Sequence, residues 1–368
     1  MSVNKIINYT LNKLFFPKVV TIDKPGIIYT IADRKFGSPS VKKRIIWYFE
    51  DPMISLQQET IKTMGKKQCS ELWYRIGKDV GTEFMLLSKI RKIPSFLLPS
   101  VLDTISNRLK SAGFTALGNF EYIPKNKSIV FYGKNNIICR NTQDGEVFAG
   151  IISGIFSFLI GENIEGKLAC KNCPNFCKII ADKDIPFRYR PDFDELKPSK
   201  IYDKLNFPNQ IDRTGNTDSF GNLLKFKIVR LDDSGRFYFE NKVISPTTAD
   251  FLGLIVNHYL KIDKESVLKK GVIDGAEKLA SDLLDKKTIN KIGYLKTVLS
   301  SFGWGIPNVE KVNKKIILDL LYPPITEYGF LYQVFFINGF LNYIFKKEFK
   351  NFEILLKKDI PQLQIVYK

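Results

Sequence analysis

Histidine is almost missing: the 368-residue chain has one, His258. No second imidazole exists to share a metal site with it, and no Ser-His-Asp or Cys-His arrangement can be built around it. In LIVNHYLK it is expected as a satisfied, partly buried side chain. The phosphate loop Gly-x4-Gly-Lys-Ser/Thr is absent, as is Gly-x-Gly-x-x-Gly after a strand. Nothing in the sequence therefore argues for an enzyme. Long hydrophobic runs are lacking too. The longest, centred on FAGIISGIFSFLIG (148–161), falls short of the ~18 apolar residues of a spanning helix and reads as a buried helix. The start, MSVNKIINYTLNKLFFPK, has no charged leader, apolar core and small-residue cleavage site. Ile7, Leu11 and Leu14 fall at helical spacing, so residues 1–16 read as an amphipathic docking segment and the chain as intracellular, in the cytoplasm.

Acidic residues are the other shortage. Thirty-eight Asp+Glu face 56 Lys+Arg, for a net charge of +18, and only 11 of the basic residues are arginine. Such a field attracts polyanions, here nucleic acid, ribosome or an anionic membrane. The lysines are scattered in pairs, Lys42–Lys43, Lys66–Lys67, Lys269–Lys270 and Lys346–Lys347. A simply solvated lysine-rich surface is the competing reading.

What the chain does have is internal similarity. VTIDKPGIIYTI (20–31) and VRLDDSGRFYFE (229–240) each read as strand, turn with Asp and Gly, strand, with Gly26 matching Gly235. A proline follows each, Pro39 and Pro246, and then SVKKRIIWYFED and TTADFLGLIVNHYLK read as helices. Two longer helices align Gly65 with Gly271, Cys69 with Gly275 and Glu71 with Glu277; small residues four apart let another backbone come close. Gly113–Phe114 matches Gly303–Trp304, and the apolar helices around Gly154 and Gly339 match. Each copy closes on alternating strands, where Pro174 matches Pro361. The order per copy is ββ-ααα-ββ-α-ββ, which implies an α+β fold with antiparallel sheet. The copies span 17–182 and 223–368, joined by a polar linker, 183–222.

The linker's pointed feature is Arg188-Tyr189-Arg190. Its two arginines are candidate polyanion contacts. Against that, Phe187 and Tyr189 are expected to dock on a domain, since loop aromatics need burial.

Four of five cysteines fall within 39 residues of the first copy: Cys139, Cys170, Cys173 and Cys177. Four thiolates suit a closed tetrahedral zinc site, structural rather than catalytic. Buried free thiols or a transient Cys170–Cys173 disulfide remain the alternatives.

FAGIISGIFSFLIG, the strand with Glu165 and Cys170, the closing CKII strand, the Gly65 helix and the turns at Gly113 and Gly303 resemble the vinyl-4-reductase domain family. The resemblance extends over both copies. It implies a non-enzymatic sensor or carrier that holds a small apolar or aromatic ligand in an internal pocket. It also implies kinship in fold with subunits of vesicle-tethering transport particles, which dimerise. A tandem copy is then a built-in pseudo-dimer, and self-association through the same surfaces is conceivable. Some members hold zinc through cysteines and a glutamate five residues before one of them, which carries over to Cys139, Glu165, Cys170 and Cys177. The family's glycine-acidic turn is replaced here by Lys171–Asn172, and Cys173 is extra. A pocket of a few hundred Å³ is expected along the two apolar helices, at Phe156, Phe158, Phe335, Phe336 and Tyr343.

Overall fold

The computed structural model describes residues 19–32, 41–88, 92–111, 114–136, 139, 144–170, 176–192, 196, 218–233, 236–284, 288–313, 315–324, 329–357 and 362–367. The amphipathic segment 1–16, Cys173 and most of the linker beyond 192 lie outside them.

The first half runs β1 (Val19–Lys24), β2 (Ile27–Ala32), β3 (Val41–Phe49), α1 (Glu50–Met64), α2 (Lys66–Ser88), α3 (Leu98–Ser111), β4 (Leu117–Ile123), β5 (Ser128–Lys134), α4 (Glu146–Ile160), β6 (Glu165–Leu168) and β7 (Phe176–Asp182). After α5 (Phe220–Lys225), the second half repeats that order. It runs β8 (Val229–Leu231), β9 (Phe237–Phe239), β10 (Lys242–Thr248), α6 (Ala249–Lys261), α7 (Glu265–Leu283), α8 (Lys291–Ser301), β11 (Ile306–Val312), β12 (Lys315–Leu321), α9 (Gly329–Phe345), β13 (Phe352–Lys357) and β14 (Gln362–Tyr367). The fold is α+β, with antiparallel pairing throughout the described sheets. Two four-stranded sheets share one pattern, β4-β5-β7-β6 and β11-β12-β14-β13. A six-stranded sheet, β1-β2-β3-β10-β9-β8, takes three strands from each half and reads the same when the halves are exchanged.

The expected helix over SVKKRIIWYFED is instead strand β3, with the helix starting at Glu50. RIIWYF is β-branched and aromatic, which suits a pleated, half-buried surface. Glu50 and Asp51 then place acids on the first helical turn, where the macrodipole favours them. Pro246 likewise lies in β10 rather than in a helix, opposite Trp47 of β3. Trp47 directs its N–H to the Phe302 carbonyl at 2.9 Å, and its own carbonyl accepts the Trp304 indole N–H at 2.6 Å. The Trp47–Pro246 pair is therefore one that exchanges no ladder bonds, and the proline's missing N–H costs nothing there.

The register proposed between the long helices also shifts. Gly154 of α4 lies against Lys78 and Thr82 of α2, whereas Gly339 of α9 lies against Ile273 and Glu277 of α7. Lys78 is thus the counterpart of Ile273. Gly65 is not equivalent to Gly271: it separates α1 from α2 at φ 83°, whereas Gly271 and Gly275 sit mid-helix against Leu56 and Pro52 of α1. The close approach expected of Gly271 and Gly275 is real, and its partner is a helix of the other half.

The halves are tied by packing as well as by β3–β10. Helix α1 runs along α7, and α6 packs on α2 and α9. Buried Arg44 of β3 donates to the carbonyls of Gly26, Gly303 and Tyr322, the last two at 2.8 Å. Around this seam Phe49 meets Phe239, Phe302 and Phe336, and Trp47 stacks on Phe220 at 4.3 Å.

Candidate functional site

The sequence placed a site at the cysteines; of its described members, the structure brings Cys139, Cys170 and Cys177 to one end of the β6–β7 hairpin and sets Glu165 at the other. Cys139 and Cys177 are buried side by side. The Cys139 thiol donates to Cys177, and that bond holds the Cys177 thiol below its usual range; burial opposes the effect and Asn136 adds to it. Donating to Cys177 pushes Cys139 up, and burial pushes it further. Cys170 is engaged in a disulfide and sits beside Lys178, whose N–H lies 3.4 Å from its sulfur. Glu165 is elsewhere. It pairs with Asp182 across the β6–β7 hairpin, five residues from Cys177, or about 16 Å of extended strand. Among the described residues no three possible ligands gather in one metal-sized space. Cys173 lies outside the described residues, and no role is derived through a metal.

Glu165 belongs to a buried polar network that sequence reasoning did not find. Its Oε1 lies 2.8 Å from the Lys78 ammonium, and both side chains are shut from solvent. Tyr74 donates to Oε2 at 2.5 Å, and Asn163 to Oε1 at 2.9 Å. Burial pushes the Glu165 carboxyl up, but the bonds from Lys78 and Tyr74 outweigh it and hold the group below the usual carboxylate range. Lys78 is lowered, first by desolvation.

The linker closes this network. Lys78 donates to the Tyr189 carbonyl at 2.6 Å, and the Tyr189 N–H reaches Glu165 at 3.2 Å. The Tyr189 hydroxyl donates to Asp79 at 3.0 Å, and the same carboxylate oxygen lies 2.7 Å from His258 Nε2 of α6. The lone histidine is thus buried and satisfied, across the boundary between the halves. Arg188 lies over the Tyr74 ring at 3.5 Å and pairs with Glu71 and Glu146, each at 2.8 Å. Its charge is met inside the protein, whereas Arg190 is exposed. Tyr189 docks as expected, but Phe187 stays 70% exposed.

Of the five expected pocket residues, four are packed core. Phe156 meets Tyr122, Phe335 meets Phe352, Phe336 lies among Phe49, Trp304 and Phe340, and Phe158 is buried. Tyr343 borders a cavity of about 550 Å³ between the end of α9, the start of α8 and the middle of α7. Lys291, Lys346 and Lys347 share its lining with Asn342, Glu277 and Glu348. The Tyr343 hydroxyl is anchored on the Leu284 carbonyl at 3.1 Å, and the Lys291 ammonium stands 5.2 Å from the ring centroid. Helix α9 ends with Lys346 at φ 50° and the Lys347 N–H returning to the Asn342 carbonyl at 3.2 Å. That is a Schellman end whose left-handed position glycine usually fills. The legible signal was a lysine pair directly behind an apolar, aromatic helix; Lys291 had no sequence marker, and Glu277 was marked only as the match of Glu71.

No family model matches the chain, and no curated protein matches it. Among solved structures, the phenol-responsive sensory domain of the transcription activator PoxR, with phenol, is similar over 50% of this chain and 90% of that one. The identity is 14% and the TM-score 0.34.

Proposed function

We propose that the chain is a binding protein of regulatory type whose ligand is a small aromatic or apolar body with one anionic group, held at Tyr343. One observation carries this: a cavity of about 550 Å³ in which three lysines line the space around one aromatic ring. That volume is in the ligand range. A ligand ring against Tyr343 gains ~0.5–1.5 kcal/mol beyond its buried area. Its anionic group takes up the ammonium groups of Lys291, Lys346 and Lys347. Glu277 and Glu348 in the same lining disfavour a second negative charge. The family resemblance supports ligand binding in general; the cavity supports a site in this groove of the second half rather than in the expected interior. The common element order and the exchange-symmetric sheet support reading the two halves as a duplicated, pseudo-dimeric pair.

The test is a thermal-shift and calorimetric screen with benzoate, phenylacetate and 1-naphthoate, with 1-naphthol as the uncharged comparison. The carboxylates are expected to raise Tm and the naphthol to do so far less. Tyr343→Ala and the pair Lys346→Ala/Lys347→Ala should each abolish the shift. Carboxylate binding that survives both variants, or no binding, sinks the reading.

A further inference from the structure

A second surface lies far in sequence from that groove, where α5 turns into edge strand β8. The stretch LLKFKIVRL (223–231) holds no acid. Its side chains sort sharply: Leu223 and Val229 are buried, whereas Phe226 is 64% exposed, Leu231 57%, and Leu224 and Ile228 36% each. Lys225, Lys227 and Arg230 are exposed between them. Single exposed apolar side chains need no explanation, but four within eight residues, interleaved with three cations, are not scattered.

The backbone builds this projection. Helix α5 ends with the Ile228 N–H on the Leu223 carbonyl at 2.9 Å and Lys227 at φ 60°. This Schellman turn draws Leu223 inward and leaves Phe226 outside. Strand β8 pairs only with β9 among the described strands, so it forms a margin of the six-stranded sheet. Of the nearby acids, Asp23 against α5 and Asp233 beyond β8 are exposed, and three others accept hydrogen bonds from within the protein. Asp218 accepts from Ser219 and Asn222, Asp232 from Arg236, and Glu240 from Tyr294.

We propose that the α5–β8 corner is a contact surface for an anionic lipid bilayer. Aromatic and aliphatic side chains standing singly among lysines match the headgroup region, where apolar groups enter shallowly while the cations stay with lipid phosphates and carboxylates. The Lys225 ammonium already sits 5.9 Å from the Phe226 ring centroid. A second copy of the chain is a poor occupant, since like faces would bring six cations together in a protein of charge +18.

The experiment is co-sedimentation of the full chain with extruded vesicles. Binding to phosphatidylserine/phosphatidylcholine vesicles is expected, with little to phosphatidylcholine alone and loss at high salt. The variant Lys225→Ala/Lys227→Ala should bind roughly 25-fold more weakly, about a fivefold loss per charge. Phe226→Ala/Leu231→Ala should weaken binding even though net charge is unchanged. These side chains are exposed, and unchanged Tm confirms folding. Lys66→Ala/Lys67→Ala, equal in charge loss but remote in sequence, should bind as wild type. Absence of binding overturns the proposal, as does equal weakening by the Lys66/Lys67 control, which would mean diffuse attraction only. So does a concentration-dependent dimer abolished by Phe226→Ala/Leu231→Ala, which would make the corner a self-interface. Retention of an acidic protein partner through these residues, without vesicle binding, likewise overturns it.

Discussion

Lys78 on α2 holds its ammonium 2.8 Å from Glu165 on β6, with 0% and 2% of the two side chains exposed. A buried pair is weak evidence for stability as such, but breaking it leaves an uncompensated charge. Glu165→Gln is therefore expected to cost ~3–5 kcal/mol in urea unfolding. Lys78→Met/Glu165→Met removes both charges but strands the Asn163 and Tyr189 groups bonded to them, so it should recover only part of that loss.

The same pair sets a pH response. The Glu165 carboxyl is held below the usual carboxylate range, so its contribution is present above the unfolded value of about 4.3 and is lost as pH falls through the folded one. Lys78 acts oppositely. Its lowered value adds a penalty at low pH that is relieved as pH rises towards the unfolded value near 10.4. Urea unfolding from pH 6 down to pH 2 should show wild type losing more stability below about pH 4 than Glu165→Gln does. Parallel curves would refute the assignment.

The α2–α4 interface was only half legible. That FAGIISGIFSFLIG forms a buried helix followed from its apolar character, whereas the close approach read from small residues four apart was placed at Gly65–Cys69 and Gly271–Gly275. Which helices approach was not legible, because glycine marks the possibility and not the partner. A Cβ on Gly154 would lie inside the van der Waals envelope of the Lys78 carbonyl oxygen, and one on Gly77 inside that of Val147. Gly154→Ala should therefore cost ~1–3 kcal/mol or more, from overpacking against rigid backbone. Gly65→Ala meets no atom within 4 Å, and its cost reports only φ 83°. The strand β3 was missed because Ile45, Ile46, Trp47 and Tyr48 satisfy either period over so short a run. The Trp304 and Phe302 groups that decide it lie some 250 residues away.

The two neighbouring thiols should react unequally. Cys177 is lowered chiefly because Cys139 donates to it. Removing that donor in Cys139→Ala should raise the Cys177 value and slow its alkylation by iodoacetamide at neutral pH, where only thiolate reacts. The pH dependence of Cys177 modification, followed by peptide mass mapping, should move upward in the variant. An unchanged profile would show that Asn136 alone sets it. Glu165→Gln, at the far end of the hairpin, should leave the profile where it is.

Lys346 separates stability from binding. At φ 50° it occupies the left-handed end of α9, where a non-glycine residue costs on the order of 1 kcal/mol. The terminating bond, Lys347 N–H to Asn342, needs no side chain at that position. Lys346→Gly is therefore expected to raise stability by ~0.5–1 kcal/mol in urea unfolding, because glycine adopts that φ without strain. The same change removes one of three ammonium groups from the Tyr343 cavity and should weaken carboxylate binding several-fold. A lysine kept only as a helix end would predict the gain without the loss. If binding of 1-naphthoate is equal in Lys346→Gly and wild type, Lys346 serves no ligand. If stability falls, the strain ascribed to this turn is not there.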